Sequence, residues 1–140
     1  MKSISKKGDY AIRGMVYLAS QPPDRVVLLG EIAKAMDVPP HFLAKIFQQF
    51  GKLGLVQSFR GSGGGFRLGR PPGEITLCEI VEAVEGPIAP NRCVMSSGAC
   101  RREKVCPVHP VWKKVQSSVV EILSGVTLKD LSGRRVAPRG

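Results

Sequence analysis

The stretch that decides the fold runs from Pro39 to Arg70 and reads PPHFLAKIFQQFGKLGLVQSFRGSGGGFRLGR. Its pattern predicts a helix, a short strand, a glycine-rich turn and a second strand. The stretch carries five basic residues, and no Asp or Glu occurs anywhere between Asp37 and Glu74. A surface element that lacks negative charge favours a polyanion as its partner. We therefore expect this helix and hairpin to bind duplex DNA together.

The helix begins at Pro39-Pro40, because a proline suits the first helical position. We expect its buried stripe to consist of Leu43, Ile46, Phe47, Phe50 and Leu53. The outer face is left to His41, Ala44, Lys45, Gln48, Gln49 and Lys52. A shorter apolar pattern from Leu29 to Met36 predicts a preceding helix, with a turn at Asp37-Val38 between the two. Two helices joined by a tight turn are typical of a helix-turn-helix.

Polar side chains on the second of these helices suit a duplex partner. Amides, imidazoles and ammonium groups can contact base edges and phosphates in a major groove. The candidates that we expect to contact DNA from this helix are Pro40, His41, Lys45 and Gln48. A merely solvated helix face would carry the same residue types, and the hairpin that follows shifts the balance towards DNA.

The glycine-rich segment predicts a hairpin of the kind called a wing. Val56–Arg60 alternates as a strand, residues 61–65 turn, and Phe66–Leu68 returns. Glycine lets the backbone approach a surface closely, and arginines suit a minor groove. The candidates for DNA contact in the wing are Arg60, Gly61, Ser62, Gly63 and Arg67. A phosphate-cradling nucleotide loop is a weaker interpretation, because neither a helix start nor Gly-Lys-Ser/Thr follows the glycines.

The bulk composition agrees with a small basic globular protein. The 140 residues carry a formal net charge of +10 and a pI near 9.9, and 43% of them are hydrophobic. This indicates one domain with a core, and a nucleic acid or an anionic surface as partner. The sequence contains neither an apolar run long enough to span a membrane nor a secretory signal. We expect a cytoplasmic protein with no membrane partner, where clustered cysteines hold metal more often than disulfides.

Further helices are predicted on both sides of the central stretch. Apolar periodicity indicates helices at 6–20, 76–85 and 108–123, and a short turn of helix at 127–131. Thr76 and Glu79 form a predicted capping box. In the long final helix, Val108, Trp112, Val115, Val119 and Ile122 give a heptad-type seam. Such a seam suits a two-fold dimer, although the stripe would also pack on its own domain.

We therefore expect a mainly α fold with a small β-hairpin wing: a winged helix-turn-helix plus a long C-terminal dimerisation helix. The expected division is a DNA-binding domain at 1–75 and a connecting helix and cysteine-bearing sensor loop at 76–106. A dimerisation helix at 107–125 and a C-terminal tail at 126–140 complete it.

A loop from Gly86 to Val105 shows no periodicity, and a loop of this length is usually functional or disordered. Cys93 and Cys100 lie in it with six residues between them, and Cys106 follows after five more. Free thiols, a disulfide pair with one thiol, a zinc site and an iron–sulfur cluster are all open interpretations. Zinc would normally show Cys-x-x-Cys spacing, whereas thiolates presented from an irregular loop favour iron–sulfur. The fourth cysteine, Cys78, falls inside a predicted helix as a buried thiol.

Basic residues surround the loop and would offset the charge of thiolate ligands; they are Arg92, Arg101, Arg102 and Lys104. Cys106 precedes Pro107 at the predicted start of the last helix. There the helix dipole favours the thiolate, which is the form that binds metal.

The sequence resembles the Rrf-two family of winged-helix regulators, which includes IscR, NsrR, RirA and BadM types. The resemblance covers nearly the whole chain. It rests on SKKGDYAIR at Ser5–Arg13, on LVQSFRGSGGGF at Leu55–Phe66, and on three cysteines before the helix at Pro107–Leu123. It implies a homodimer that binds a pseudo-palindromic operator. In it, the long helices of two subunits pack together and each cysteine loop rests near the partner's DNA-binding domain.

In cluster-bearing members of that family the loop cysteines ligate iron, which implies Cys93, Cys100 and Cys106 here. IscR-like members add a histidine three residues after the last cysteine, which corresponds to His109. NsrR-like members add an acidic residue from the partner's first helix, which corresponds to Asp9. Histidine ligation favours a 2Fe–2S cluster and carboxylate ligation a 4Fe–4S cluster. The surroundings of Asp9 match NsrR-like members and favour 4Fe–4S, while the six-residue cysteine spacing is similar to RirA-like members.

Two alternatives stay open. A cluster-free DNA-binding regulator would use the same cysteines as a redox switch. A thiol redox protein or thiol enzyme would use Cys106, activated by His109 one helical turn later, but no supporting acid or substrate pocket can be named. We expect a regulator and not an enzyme, with a cluster that preparation in air can remove.

Overall fold

The computed structural model describes residues 5–61, 64–89, 94 and 105–132. The described chain is mainly helical, with one two-stranded antiparallel sheet. Its elements are α1 (Lys6–Ala19), α2 (Leu29–Met36), α3 (Pro40–Lys52), β1 (Val56–Phe59), β2 (Gly65–Leu68), a 3₁₀ turn (Pro72–Glu74), α4 (Leu77–Glu85), α5 (His109–Ser124) and α6 (Leu128–Ser132). The predicted mainly α fold with a hairpin wing is confirmed.

The main core lies where α1 meets α2, α3, α4 and α6. Its fully buried side chains come from all of these helices and include Met15, Ile32, Phe47, Phe50, Ile80 and Leu128. Gly14 lets α3 approach α1, because a Cβ there would lie 3.0 Å from side-chain atoms of both Leu43 and Phe47. The hydrophobic effect of this cluster therefore fixes the position of α3 relative to the rest of the chain.

The turn between α2 and α3 has a specific backbone cause. Asp37 adopts the left-handed conformation with φ 55°, which an Asp tolerates better than most residues. Val38 then turns inward and is buried. Arg13 of α1 donates hydrogen bonds to the carbonyl oxygens of Met36 at 3.2 Å and Asp37 at 3.3 Å. It thereby satisfies acceptors that the end of α2 leaves open.

The hairpin is joined both to the segment before α2 and to α3. Val27 forms an isolated antiparallel bridge with Phe66, with two backbone hydrogen bonds of 2.8 Å. The ring of Phe66 also packs edge-on against Phe47 of α3, with ring centroids 5.1 Å apart. Gly65 has φ +151°, and a Cβ there would lie 2.3 Å from the Val27 carbonyl oxygen. Only glycine fits this junction without backbone movement.

The C-terminal part of the described chain returns to the main core. Thr76 caps α4 with the predicted capping box to Glu79. The Leu77 amide donates to the Val126 carbonyl at 2.8 Å, and the Leu128 amide donates to the Ile75 carbonyl at 3.0 Å. Leu128 is fully buried in the same core as α1. The sequence did not predict this contact of Leu128 with the core. The expected division of the chain into four parts stays a prediction.

Three details of the sequence prediction were wrong. Leu53 was expected in the buried stripe of α3, but it is 55% exposed because the helix ends at Lys52, and Leu55 is buried instead. The first strand ends at Phe59, one residue before Arg60. Gln49 was expected on the outer face of α3, but its amide donates to the Ala83 carbonyl of α4 at 2.7 Å. This bond satisfies an acceptor near the end of α4.

Candidate nucleic-acid interface

The outer face of α3 carries the predicted DNA-contacting residues. Pro40 is the first residue of the helix, and His41, Lys45 and Gln48 follow it, all four exposed to solvent. The inner face is held by Leu43, Ile46, Phe47 and Phe50. Because the buried face is fixed by the core, the four outward side chains keep a defined orientation relative to the hairpin.

The cations of this region differ in whether they have a carboxylate partner. Within the described ranges, three ion pairs occur, and none of them involves Lys45, Lys52 or Arg60. Arg70, which the sequence placed in the acid-free stretch, does have one, because the fold brings Glu79 of α4 to its guanidinium. Arg70 therefore belongs to the scaffold, and the positive surface consists of the other cations.

The hairpin presents its arginines in two ways. Arg60 and Gly61 are exposed at the tip, where Gly61 has φ +99°. Arg67 is half-buried and lies across β1: its guanidinium stacks on Phe59 at 4.9 Å and donates to the Gln57 side-chain oxygen at 3.3 and 3.2 Å. Arg67 is thus pre-oriented by the hairpin. The predicted contacts Ser62 and Gly63 lie outside the described residues.

An open cleft of about 520 Å³ separates α3 from the hairpin. It has an apolar floor and a polar rim without any carboxylate, and its lining residues are Ala44, Phe47, Gln48, Gly51, Lys52, Val56, Gln57, Ser58 and Phe66. Of these, only Gln48 was predicted as a site residue. The alternation of β1 was visible in the sequence, but the packing of its Val56 and Ser58 face against α3, which forms the cleft, was not.

Two of the predicted cluster ligands, Cys106 and His109, lie just before and at the start of α5. Cys106 is half-buried, and its carbonyl oxygen accepts a hydrogen bond from the His109 amide at 3.2 Å. His109 is the first residue of α5 and is 6% exposed. Cys93 and Cys100 lie outside the described residues. Among the residues that are described, no three His, Cys, Asp or Glu side chains are grouped to hold a metal ion.

Asp9, the other candidate ligand, lies in the first turn of α1. Its carboxylate forms an ion pair with Arg13 at 2.6 Å, and its side chain remains 51% exposed. Cys78 is a buried thiol, as predicted, and burial raises its pKa. The two residues therefore differ in access, because an outside group can reach Asp9 and not Cys78.

One face of α5 is apolar and exposed in the single chain. The inward face packs through Val119, Val120 and Leu123 against a second, smaller core formed by Cys78, Val81 and Ile88. Gln116 donates to the carbonyl oxygens of Ile88 and Val94 at 2.8 Å. The outward stripe consists of Val108, Val111, Val115 and Ile122, which are 46%, 56%, 37% and 66% exposed. Val119 of the predicted seam belongs to the inward face, and Val111 lies on the outward one.

Comparison with known proteins identifies the family of this chain. The model of the Rrf2 family, described as "Iron-dependent Transcriptional regulator", matches residues 4–134. The chain belongs to the Rrf2 family. This is the Rrf-two family that the sequence motifs indicated, so Rrf2 membership also makes the protein a transcription regulator and not an enzyme.

Individual Rrf2 relatives are similar to this chain over most of their length. An HTH-type transcriptional regulator of Aquifex aeolicus is 35% identical over 87% of this chain and 85% of its own. The structure of CymR, "the Global Cysteine Regulator of B. subtilis", is similar with a TM-score of 0.79, 32% identity, and coverage of 97% of this chain and 100% of that one. IscR of T. potens is similar with a TM-score of 0.73, 30% identity, and coverage of 92% and 85%. No helix within the described ranges is long and apolar enough to cross a bilayer.

Proposed function

We propose that this regulator binds pseudo-palindromic duplex DNA as a homodimer, with α3 in the major groove and the hairpin in the adjacent minor groove. The observation that carries the proposal is the outer face of α3. It exposes His41, Lys45 and Gln48 beside the exposed Arg60, and no described carboxylate neutralises the cations among them. A DNA-binding transcription regulator needs such a face, because phosphate contacts dominate affinity.

The residues divide between affinity and sequence recognition. Lys45 and Arg60 are long cations suited to phosphates or to a narrow minor groove. Gln48 presents an amide, which pairs well with adenine in the major groove. His41 and Pro40 lie at the N-terminal end of α3, the part of a recognition helix that contacts bases in helix-turn-helix proteins.

The exposed stripe of α5 supports the dimer. Val108, Val111, Val115 and Ile122 repeat at heptad-like spacing and expose apolar surface on a face adjacent to the one that packs against the second core. Pairing of two α5 helices would bury this surface and place two copies of α3 on one side of a two-fold axis. The operator would then be a pseudo-palindrome whose half-sites lie one or more helical turns apart.

Selection of bound duplexes from a randomised DNA pool tests the DNA proposal. The wild type should enrich a pseudo-palindromic sequence. Gln48→Ala should relax the preference at one position in each half-site and retain binding to mixed-sequence DNA, because a base contact carries the sequence information. Lys45→Ala is the matched control, and it should weaken binding to all sequences alike. Enrichment of no sequence by the wild type, or of one without two-fold symmetry, would contradict the proposal.

We further propose that Cys93, Cys100 and Cys106 hold an iron–sulfur cluster that modulates operator binding. Three thiolates are the donor set that such clusters use, and the family description names iron dependence. Cys106 lies just before α5, and its carbonyl oxygen accepts a hydrogen bond from the amide of His109, the first residue of that helix. When bound, the cluster would hold the cysteine loop in place against the dimer and would make this contact sensitive to redox change.

The fourth ligand would be the partner subunit's Asp9 or, alternatively, His109 of the same chain. The 51% exposure of the Asp9 side chain supports the first choice, because a second subunit can reach it. His109 is buried at the start of α5, so its ring would have to be reached from within the same chain. A carboxylate ligand would agree with a 4Fe–4S cluster and an imidazole ligand with a 2Fe–2S cluster.

Iron and sulfide analysis of protein purified without oxygen tests the cluster. The wild type should be brown and contain iron and sulfide, while Cys93→Ala, Cys100→Ala and Cys106→Ala should lose both. Cys78→Ala is the control and should retain them, because Cys78 is buried in α4. Asp9→Ala and His109→Ala distinguish the two fourth ligands by their visible spectra. Iron content that the three cysteine changes leave untouched would instead favour a cluster-free regulator with a thiol switch.

Operator titration tests the modulation. The forms with and without the cluster should bind the selected operator with different affinities, because an ordered loop between subunits biases the pose of the two α3 helices. Equal affinities for every selected site would contradict the modulation and leave the DNA binding intact.

A further inference from the structure

The cleft between α3 and the hairpin has chemistry that the base-contacting residues leave unexplained. Lys52 and Ser58 stand at its rim, and none of the residues lining it is acidic. Lys52 is exposed and joins no ion pair among the residues described. A cation and a hydroxyl beside an open cleft form a site for an anionic oxygen.

Gly51 lines the same cleft from α3 and has no reason inside the chain to be glycine. Its φ lies outside the left-handed region, and a Cβ built there would meet no atom within 4 Å. Alanine would be the better helix former at such a position. Gly14 is the contrasting case, because a Cβ there would meet Leu43 and Phe47 at 3.0 Å. What Gly51 keeps open is therefore space outside the protein.

We propose that the cleft holds one sugar–phosphate strand of the operator, with Lys52 and Ser58 as its phosphate contacts and Gly51 as the point of closest approach. The inference rests on the DNA-binding function proposed above. Major and minor grooves that adjoin are separated by a single backbone strand. If α3 occupies one groove and the hairpin tip the next, that strand must pass between them.

The charge of the cleft favours this occupant over an apolar ligand. Duplex DNA carries about one negative charge per 1.7 Å of its axis, so any strand segment in the cleft brings phosphate oxygens to its rim. The floor formed by Ala44, Phe47, Val56 and Phe66 is apolar and suits the sugar carbons between phosphates. Lys52 and Ser58 should thus contribute affinity to every sequence alike, unlike Gln48.

The proposed strand site is tested by fluorescence anisotropy with the full-length dimer and a labelled mixed-sequence duplex. The titration is repeated over a series of KCl concentrations. Lys52→Ala should reduce the slope of log affinity against log salt by about 0.9, the value for one lost phosphate contact. Gly51→Leu should weaken binding by about tenfold or more, as expected for a displaced strand, while its melting temperature stays equal or rises.

Two matched controls separate the cleft from general effects. Lys129→Ala removes an exposed cation from α6, and Gly30→Leu fills an equally open helical glycine in α2; neither residue lines the cleft. Both should bind the duplex as the wild type does. If the wild type binds but Lys52→Ala leaves the salt slope unchanged and Gly51→Leu leaves the affinity unchanged, the proposed strand site is wrong and another ligand occupies the cleft. If the wild type itself fails to bind any duplex, the proposed function fails instead.

Discussion

Two arginines, Arg13 of α1 and Arg25 of the segment before α2, differ from the cations of α3 and the hairpin tip in having carboxylate partners. Arg13 pairs with Asp9, and Arg25 pairs with Glu31 at 2.5 Å. Lys45, Lys52 and Arg60 have no carboxylate partner among the described residues. Unpaired cations that lie close together repel one another and add nothing to folding. Their grouping in a part of the chain without acidic residues favours an external anion, whereas the paired arginines serve the scaffold.

The largest expected effect comes from reversing charge on the unpaired face. The double variant Lys45→Glu with Arg60→Glu should bind mixed-sequence duplex at least about 100-fold more weakly, because two phosphate attractions become repulsions. Its free energy of unfolding should change by less than about 0.5 kcal/mol, since neither side chain has a carboxylate partner to lose. Anisotropy titration and urea unfolding measure the two quantities.

The reversal Arg25→Glu in the paired region serves as the control for that experiment. It should alter stability through repulsion of Glu31 and leave the salt dependence of DNA binding close to that of the wild type. If Arg25→Glu weakens DNA binding as strongly as the double variant does, the two regions share one role and the comparison fails.

A second prediction concerns the junction that places the hairpin cations beside α3. Gly65→Ala should destabilise the protein by about 2 kcal/mol or more, because its Cβ would overlap the Val27 carbonyl and its φ is positive. Gly30→Ala should instead stabilise by about 0.5–1 kcal/mol, because its site is open and helical. Thermal and urea unfolding of both variants check the opposite signs, and a neutral Gly65→Ala would show that the hairpin is not held at Val27.

A third prediction concerns Arg13, one of the paired arginines. Arg13→Ala should destabilise the protein less than Gly65→Ala does. The variant loses two hydrogen bonds to the end of α2 and an ion pair, which together should cost about 1 kcal/mol after allowance for solvent exposure. Arg13→Lys keeps the charge without the planar guanidinium and should recover only part of the loss. Urea unfolding of the two variants decides whether geometry or charge matters. If Arg13→Lys is no more stable than Arg13→Ala, the whole contribution comes from the geometry of the guanidinium.

Much of the fold followed from local pattern, and the exceptions share a cause. The bounds of α2 and the capping box of Thr76 were read correctly, because helix periodicity and capping are encoded within a few residues. Gln49, Arg70 and Leu128 were misread or missed. Each is placed by a contact with an element far along the chain, and one sequence does not reveal such contacts.

The site shows the same division between local and distant information. The exposure of His41, Lys45 and Gln48 was predictable, since a helix with one buried face leaves the other free. The cleft was not, because it exists only where β1 packs beside α3. The pairing of cations also depends on tertiary structure. A stretch without acidic residues can still have an acidic side chain beside it in the fold, as Glu79 lies beside Arg70.

The smallest predicted effect is a pH dependence in the paired region. Hydrogen bonds from Arg25 and then from Tyr17 hold the pKa of Glu31 below its ordinary value of 4.5. A carboxylate with a lowered pKa in the folded state stabilises the protein above its unfolded pKa, and this contribution disappears as pH falls through the folded value. Glu31→Gln should therefore be slightly less stable than the wild type at neutral pH, by less than Arg13→Ala, because the pair is exposed. The difference should shrink as the pH falls below 4.5. Urea unfolding at stepped pH measures it, and Lys45→Gln, from the unpaired face, should show no such convergence. A gap between Glu31→Gln and the wild type that stays constant down to acid pH would mean that Glu31 acts by packing and not by charge.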